Sequence, residues 1–214
     1  MSRALSWKAW GVPGFRTGCR WSGGRRLNGE KRMNYAEIKT CDIANGVGVR
    51  TTLFVSGCRH RCQGCFNAEA WDFKAGEPFT QAVADEILRS LEPSYVTGLS
   101  ILGGEPLEPE NQEALAPFLE RVRTAAPDKT IWMWTGFTWE QLTREPSRAR
   151  TQYLEHILAC LDVLVDGPFV EAQKDLMLRF RGSANQRLLD VPASVATGMA
   201  TEWHDIDLFS THAW

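Results

Sequence analysis

The amino-acid sequence predicts an α/β fold, a parallel sheet with outer helices, and three observations carry that expectation. Short apolar or β-branched runs alternate with stretches of helical period, the order expected when each strand is followed by a crossover on one sheet. The runs end at glycine-, cysteine- or carboxylate-bearing turns, so chemically equipped loops recur at one end of successive strands, the edge where parallel α/β folds bind ligands. The 214 residues, 43% of them hydrophobic, suffice for one domain with a sizeable core.

The first strand is Arg50-Thr51-Thr52-Leu53-Phe54-Val55, which stops at Ser56-Gly57 directly before a cluster of cysteines. Thr80 can cap a helix over 81–91, since its hydroxyl can accept from a free first-turn N–H and Val83, Ile87, Leu88 and Leu91 then share a face. A strand over 99–102 runs into Gly103-Gly104-Glu105-Pro106. Over 111–126, Leu115, Phe118, Leu119 and Val122 recur at helical spacing, and Pro127 closes that helix. A strand over 130–135 ends at Gly136, a helix covers 153–161, and Val163-Leu164-Val165 is a short buried strand ending at Asp166-Gly167. Between 168 and 190 the pattern weakens; Arg179-Phe180-Arg181-Gly182-Ser183 supplies either a further strand or a closing loop.

The organised domain spans 33–190, and 191–214 form a C-terminal tail with no functional reading. Residues 1–32 hold eight Lys/Arg against one acid, Glu30, with Trp7, Trp10, Trp21 and Cys19 among glycines and no sustained period. They read as a poorly ordered basic extension: a passive tail or upstream start, or else a nucleic-acid arm or targeting peptide. The rest of the chain carries 16 basic and 25 acidic residues, and neither nucleic acid nor membrane is expected as a partner. No apolar stretch approaches the roughly 20 residues that span a bilayer, and no secretory signal is legible. Six cysteines, three of them crowded into eight positions, fit a metal site in a reducing compartment better than a disulfide framework, so the cytoplasm is the expected location.

Cys58, Cys62 and Cys65 stand in one loop, and three thiolates so close can grip one metal centre while leaving one position of a tetrahedral ion or cubane cluster free of protein. The spacing alone leaves zinc and iron, structure and catalysis, open. His60 is either a fourth ligand of a closed zinc site or a solvent-facing loop residue, and the backbone path from so short a loop favours the second. Cys41 is a fourth thiolate or a small idle residue. Cys160, among Ile157, Leu158 and Leu161, reads as core; Trp132 and Trp134 share one strand face, as core or as a partner-facing ridge.

Cys-x3-Cys-x2-Cys followed by Phe66-Asn67, and then Gly103-Gly104-Glu105-Pro106, resembles the radical S-adenosylmethionine superfamily. A closer likeness is to one branch, the activating proteins of anaerobic ribonucleoside-triphosphate reductases. It rests on Asn45-Gly46-Val47-Gly48-Val49-Arg50, Leu53 to Cys58, Trp132-Met133-Trp134-Thr135-Gly136, Leu164-Val165-Asp166-Gly167 and Arg181-Gly182-Ser183-Ala184-Asn185-Gln186, and runs from Met33 to about Arg187. Val47 stands where that branch has Pro, and Glu105 where it commonly has Asp; neither change removes a needed chemical group.

The resemblance implies a partial (β/α) barrel of the radical S-adenosylmethionine type, with a 4Fe-4S cluster held by Cys58, Cys62 and Cys65 and its fourth iron left for the amino and carboxylate groups of S-adenosylmethionine. Reductive cleavage would give a 5′-deoxyadenosyl radical, and the branch uses it to make a glycyl radical on anaerobic ribonucleoside-triphosphate reductase, with a flavodoxin or ferredoxin as electron donor. No catalytic residue beyond cluster and cofactor is implied. Phe66 would lie against the adenine, with backbone at Gly64 and Cys65 reaching the base edge; the alternative is a core phenylalanine. Gly103 and Gly104 would let the backbone approach the methionine moiety while Glu105 accepts from its ammonium; the alternative is a tight turn. Thr135 and Asp166 would serve the ribose or methionine end, or act as strand-end caps. Arg181 and Asn185 would help dock the partner or close a loop. Two other functions stay open: a radical enzyme acting on another glycyl radical enzyme or a small molecule, and a zinc-binding structural module.

Overall fold

The computed structural model describes residues 33–204; the basic extension, Cys19 and the chain from 205 onward lie outside the described residues. Seven strands form one sheet: β1 (Asn34–Asp42), β2 (Val49–Val55), β3 (Glu77–Pro78), β4 (Val96–Gly103), β5 (Thr130–Trp134), β6 (Val163–Asp166) and β7 (Arg187–Asp190), in the spatial order β3-β1-β2-β4-β5-β6-β7. Five α-helices accompany them: α1 (Gln81–Ser90), α2 (Pro109–Ala125), α3 (Trp139–Thr143), α4 (Leu154–Cys160) and α5 (Val191–Thr197). None of the described helices is long and apolar enough to cross a membrane.

The parallel sheet expected from the alternation forms the centre of the sheet, and its edges are antiparallel. β2, β4, β5 and β6 pair in parallel, whereas β1 runs antiparallel to β2, β3 to β1 and β7 to β6. The reason is burial: Asn34–Asp42 carries Glu, Lys, Thr and Asp on a largely exposed strand, so it lacks the apolar run by which a strand covered on both faces announces itself. Arg179–Ser183 is a loop, touching the preceding segment through an isolated bridge of Lys174 with Ser183. α3 went unread because it is short and depends on a capping box, with Thr138 and Gln141 exchanging side-chain and backbone bonds. As expected, the Thr80 hydroxyl accepts from Val83 N at the start of α1. The core continues past residue 190, since Val191 and Val195 of α5 are buried in it.

Strand alternation sorts the sheet into two faces. Leu53, Val55, Leu99, Ile101, Ile131, Met133 and Leu164 join Ile87, Leu115, Leu119 and Ile157 of the helices in one core. The alternate residues Phe54, Leu102 and Trp134 face the other way and line a cavity. Deeper on that face Arg50 is fully buried. Its guanidinium donates to Ser100 Oγ (2.7 Å), Leu99 O (2.8 Å) and Thr130 O (3.0 Å), joining β2, β4 and β5. Burial lowers its pKa to about 10, which leaves the group charged at neutral pH.

Candidate functional site

At their C-terminal ends the four parallel strands pass into the cysteine loop, the Gly103-Gly104-Glu105 turn, Thr135-Gly136 and Asp166-Gly167. Backbone bonds lock the first two turns together: Gly104 N donates to Val55 O (2.7 Å) and Glu105 N to Gly57 O (2.9 Å). Gly103 has φ +108°, and a Cβ on Gly104 would stand 2.7 Å from Gly57 O, so both positions need glycine to let backbone meet backbone. A cavity of about 520 Å³ opens above, walled by Cys58, Cys62, Cys65, Phe66, Gly103, Gly104, Glu105 and Thr135 among others.

The cysteine loop is tied down at several points. Gly57 N and Cys58 N donate to Ala70 O (2.8 Å) and Trp71 O (3.0 Å). Beside Cys58, the Arg59 backbone N–H (2.9 Å) and guanidinium (2.7 Å) both reach the carboxylate of Glu108, which Arg148 grips from the other side. Burial pushes the Glu108 carboxyl up, but hydrogen bonds from Arg148 and Arg59 outweigh it and hold the pKa below the ordinary carboxylate value. The three thiols are free and half-buried. Burial pushes Cys58 up to about 11 and raises Cys62 as well, so any metal taken up here displaces protons. Among the described residues no three His, Cys, Asp or Glu groups are already gathered around a single-ion position. Three soft thiolates on one loop, opening on a cavity, are a donor set that fits an iron–sulfur cluster. Cys41 sits on exposed β1 and does not line the cavity, and Cys160 is buried on α4.

Glu105, only 1% exposed, is held by its own chain. Oε1 accepts from Leu107 N and Thr135 Oγ1 (both 2.8 Å), and Oε2 from Gly136 N (2.7 Å). Thr135 thus reaches the site through Glu105, and it also accepts from Phe137 N. His60 is corrected from a solvent-facing residue to an inward one: its side chain is 14% exposed and Nε2 lies 3.1 Å from Glu105 Oε2. Phe66 is 63% exposed rather than core, edge-on to Phe169 at 5.7 Å with the Lys174 ammonium 4.8 Å from its ring. Gly64 has φ +70° and packs against Glu171; it does not itself line the cavity.

Asp166 requires a correction. It does not line the cavity; its carboxylate accepts from Trp139 N (2.7 Å) and Arg187 Nε (2.9 Å), so it caps the start of α3 and anchors β7. Arg181 lines the cavity with Nη1 on Gln186 O, while Asn185 donates to Pro168 O, a loop-closing bond. Phe169 and Phe180 also line the cavity, and no sequence period marked them because they come from irregular backbone.

Comparison with known proteins agrees with this geometry. Residues 44–189 match the family model of the 4Fe-4S single cluster domain. Over 156 residues the chain is 44% identical to the anaerobic ribonucleoside-triphosphate reductase-activating protein of Haemophilus influenzae, covering 72% of this chain and 96% of that protein. The proteins of the same name from Vibrio cholerae and Escherichia coli are each 42% identical over the same shares. With its three-thiol loop and the matching turns in one cavity, this chain belongs to the family of anaerobic ribonucleoside-triphosphate reductase-activating proteins.

Proposed function

We propose that the chain is an activating enzyme that reductively cleaves S-adenosylmethionine at a 4Fe-4S cluster and so generates a glycyl radical on an anaerobic ribonucleoside-triphosphate reductase. The observation that carries this reading is the shared cavity of about 520 Å³, in which a loop bearing three thiols faces the Gly103-Gly104-Glu105 turn. The names of the relatives supply the target. When bound, cluster and cofactor would supply the chemistry, the one-electron reductive cleavage of S-adenosylmethionine fed by a flavodoxin- or ferredoxin-type donor and the removal of a hydrogen atom from a glycine Cα of the reductase.

The chain's own residues hold and shield. Cys58, Cys62 and Cys65 ligate the cluster as thiolates. Gly103 and Gly104 present bare backbone to the methionine moiety, and Glu105 Oε2 keeps one acceptor position for its ammonium. Cys65 and Phe66 stand on the adenine side, while Phe54, Leu102 and Trp134 form an apolar floor that excludes water. The face they line is that of a partial (β/α) barrel, and oxygen-sensitive chemistry of this kind suits the reducing cytoplasm.

Anaerobic reconstitution with iron and sulfide should give a brown protein with about four irons per chain. Electron paramagnetic resonance of that protein with S-adenosylmethionine, reductant and reductase should show a glycyl radical that is absent without the reductase. Turnover of a small molecule with no radical on the reductase would reject the reading, and a colourless chain holding one zinc would reject it more completely.

A further inference from the structure

His60 is the side chain of the cysteine loop shown reaching both the turn after β4 and the turn after β5. It lies between Cys58 and Cys62, yet its ring sits edge-on to Phe137 at 4.5 Å and against Gly136, where a Cβ would stand 2.7 Å from Cδ2. Both neighbours belong to the turn after β5, and the third, Glu105, to the turn after β4. A side chain at 136 would displace the imidazole, so a backbone left bare there makes room for it.

The polar end of the ring is equally defined. Nε2 lies 3.1 Å from Glu105 Oε2, at an angle that makes no hydrogen bond, and this buried atom has no other partner. A carboxylate offers about four acceptor positions. Leu107 N and Thr135 Oγ1 occupy Oε1 and Gly136 N takes one side of Oε2, so Nε2 and the incoming ammonium would share the remaining side of Oε2. A lone pair on Nε2 facing the carboxylate would be repelled, so the tautomer that fits carries its proton on Nε2 and presents a donor. A buried N–H a small movement away from bonding is costly to leave unmade, which favours that movement when the cavity fills.

We infer that His60 is a positioning residue that couples the cysteine loop to Glu105, so that the carboxylate receiving the ammonium of S-adenosylmethionine is set relative to the cluster by a side chain lying between two of the cluster's own ligands. The inference rests on the proposed use of that cofactor. Its energetic content is one hydrogen bond to a charged acceptor in a buried setting.

The test uses the reconstituted, cluster-bearing chain and measures binding rather than turnover. Iron content, equilibrium binding of S-adenosylmethionine and the resonance spectrum of the reduced cluster are compared for the wild type, His60→Ala and His60→Gln. The Ala variant should keep its iron, bind the cofactor about tenfold more weakly and lose part of the spectral change on binding. Gln, which keeps an N–H near the position of Nε2, should restore most of both. Combining His60→Ala with Glu105→Gln should weaken binding no further than the larger single loss, because one residue acts through the other. Unchanged affinity in His60→Ala, additive losses in the double variant, or loss of iron in both His60 variants would each overturn the inference. A wild-type chain that holds its cluster but binds no S-adenosylmethionine would instead overturn the proposed function.

Discussion

Two buried acids at the ends of β4 and β6, Glu105 and Asp166, show how differently the same residue type can be used. Each is 1% exposed. Asp166 is taken up by Arg187 and the first turn of α3, whereas Glu105 is held by two backbone N–H groups and one hydroxyl, none of them a full charge, and keeps acceptor capacity toward the cavity. Glu105→Gln should therefore keep its iron and lose on the order of 1.5–3 kcal/mol of S-adenosylmethionine binding, read by equilibrium dialysis. Asp166→Asn should leave that affinity unchanged and lower stability by about 1–3 kcal/mol in urea melts. Changing Cys58, Cys62 or Cys65 singly to Ser should abolish cluster assembly, seen as loss of iron and of the visible absorbance, while far-ultraviolet circular dichroism stays that of the folded chain. The cysteine cluster was legible because all three thiols lie within one loop. Glu105 and Asp166 looked alike in sequence because what separates them, Arg187, comes 21 residues after the second acid and reaches it only through the pairing of β6 with β7. His60 was misassigned for a related reason: its surroundings come from two distant turns.

At the scale of elements, the cysteine loop owes its place to α2 as much as to β2. Glu108, at the N-cap of α2, turns its carboxylate to Arg59 and Arg148 instead of to its own helix. Its pKa lies lower in the folded chain than the ordinary 4.5, so its contribution is complete above 4.5 and is lost as pH falls through the lowered folded value. Thermal melts of the apo chain from about pH 6 to 3 should show stability falling toward acid, and Glu108→Gln should flatten that dependence. If the variant's melts track those of the wild type at every pH, the anchor contributes nothing. Helices α1, α2 and α4 were legible because each buries a stripe of helical period. The helix α3 and the strands β1 and β7 were not, because a capping exchange and partly exposed edge pairing leave little apolar pattern to read.

Across the whole molecule, the central strands were readable as apolar runs because most of their residues are buried. Arg50 is the exception inside that layer, a buried cation whose donors end on hydroxyls and carbonyls of β4 and β5 and on Val47 O. Replacing it with Met should cost about 3 kcal/mol or more, since several buried acceptors lose their donor together. Chemical denaturation of the apo chain measures it, and a change within about 0.5 kcal/mol would show that those acceptors find other partners. The sheet itself begins at β3 and stops at β7, with no described pairing to join those two edges. A ring of strands would admit only what fits through its mouth, and would have to be threaded by anything larger. Under the proposed function, a sheet left unjoined would let a loop of a much larger folded protein enter and leave from the side.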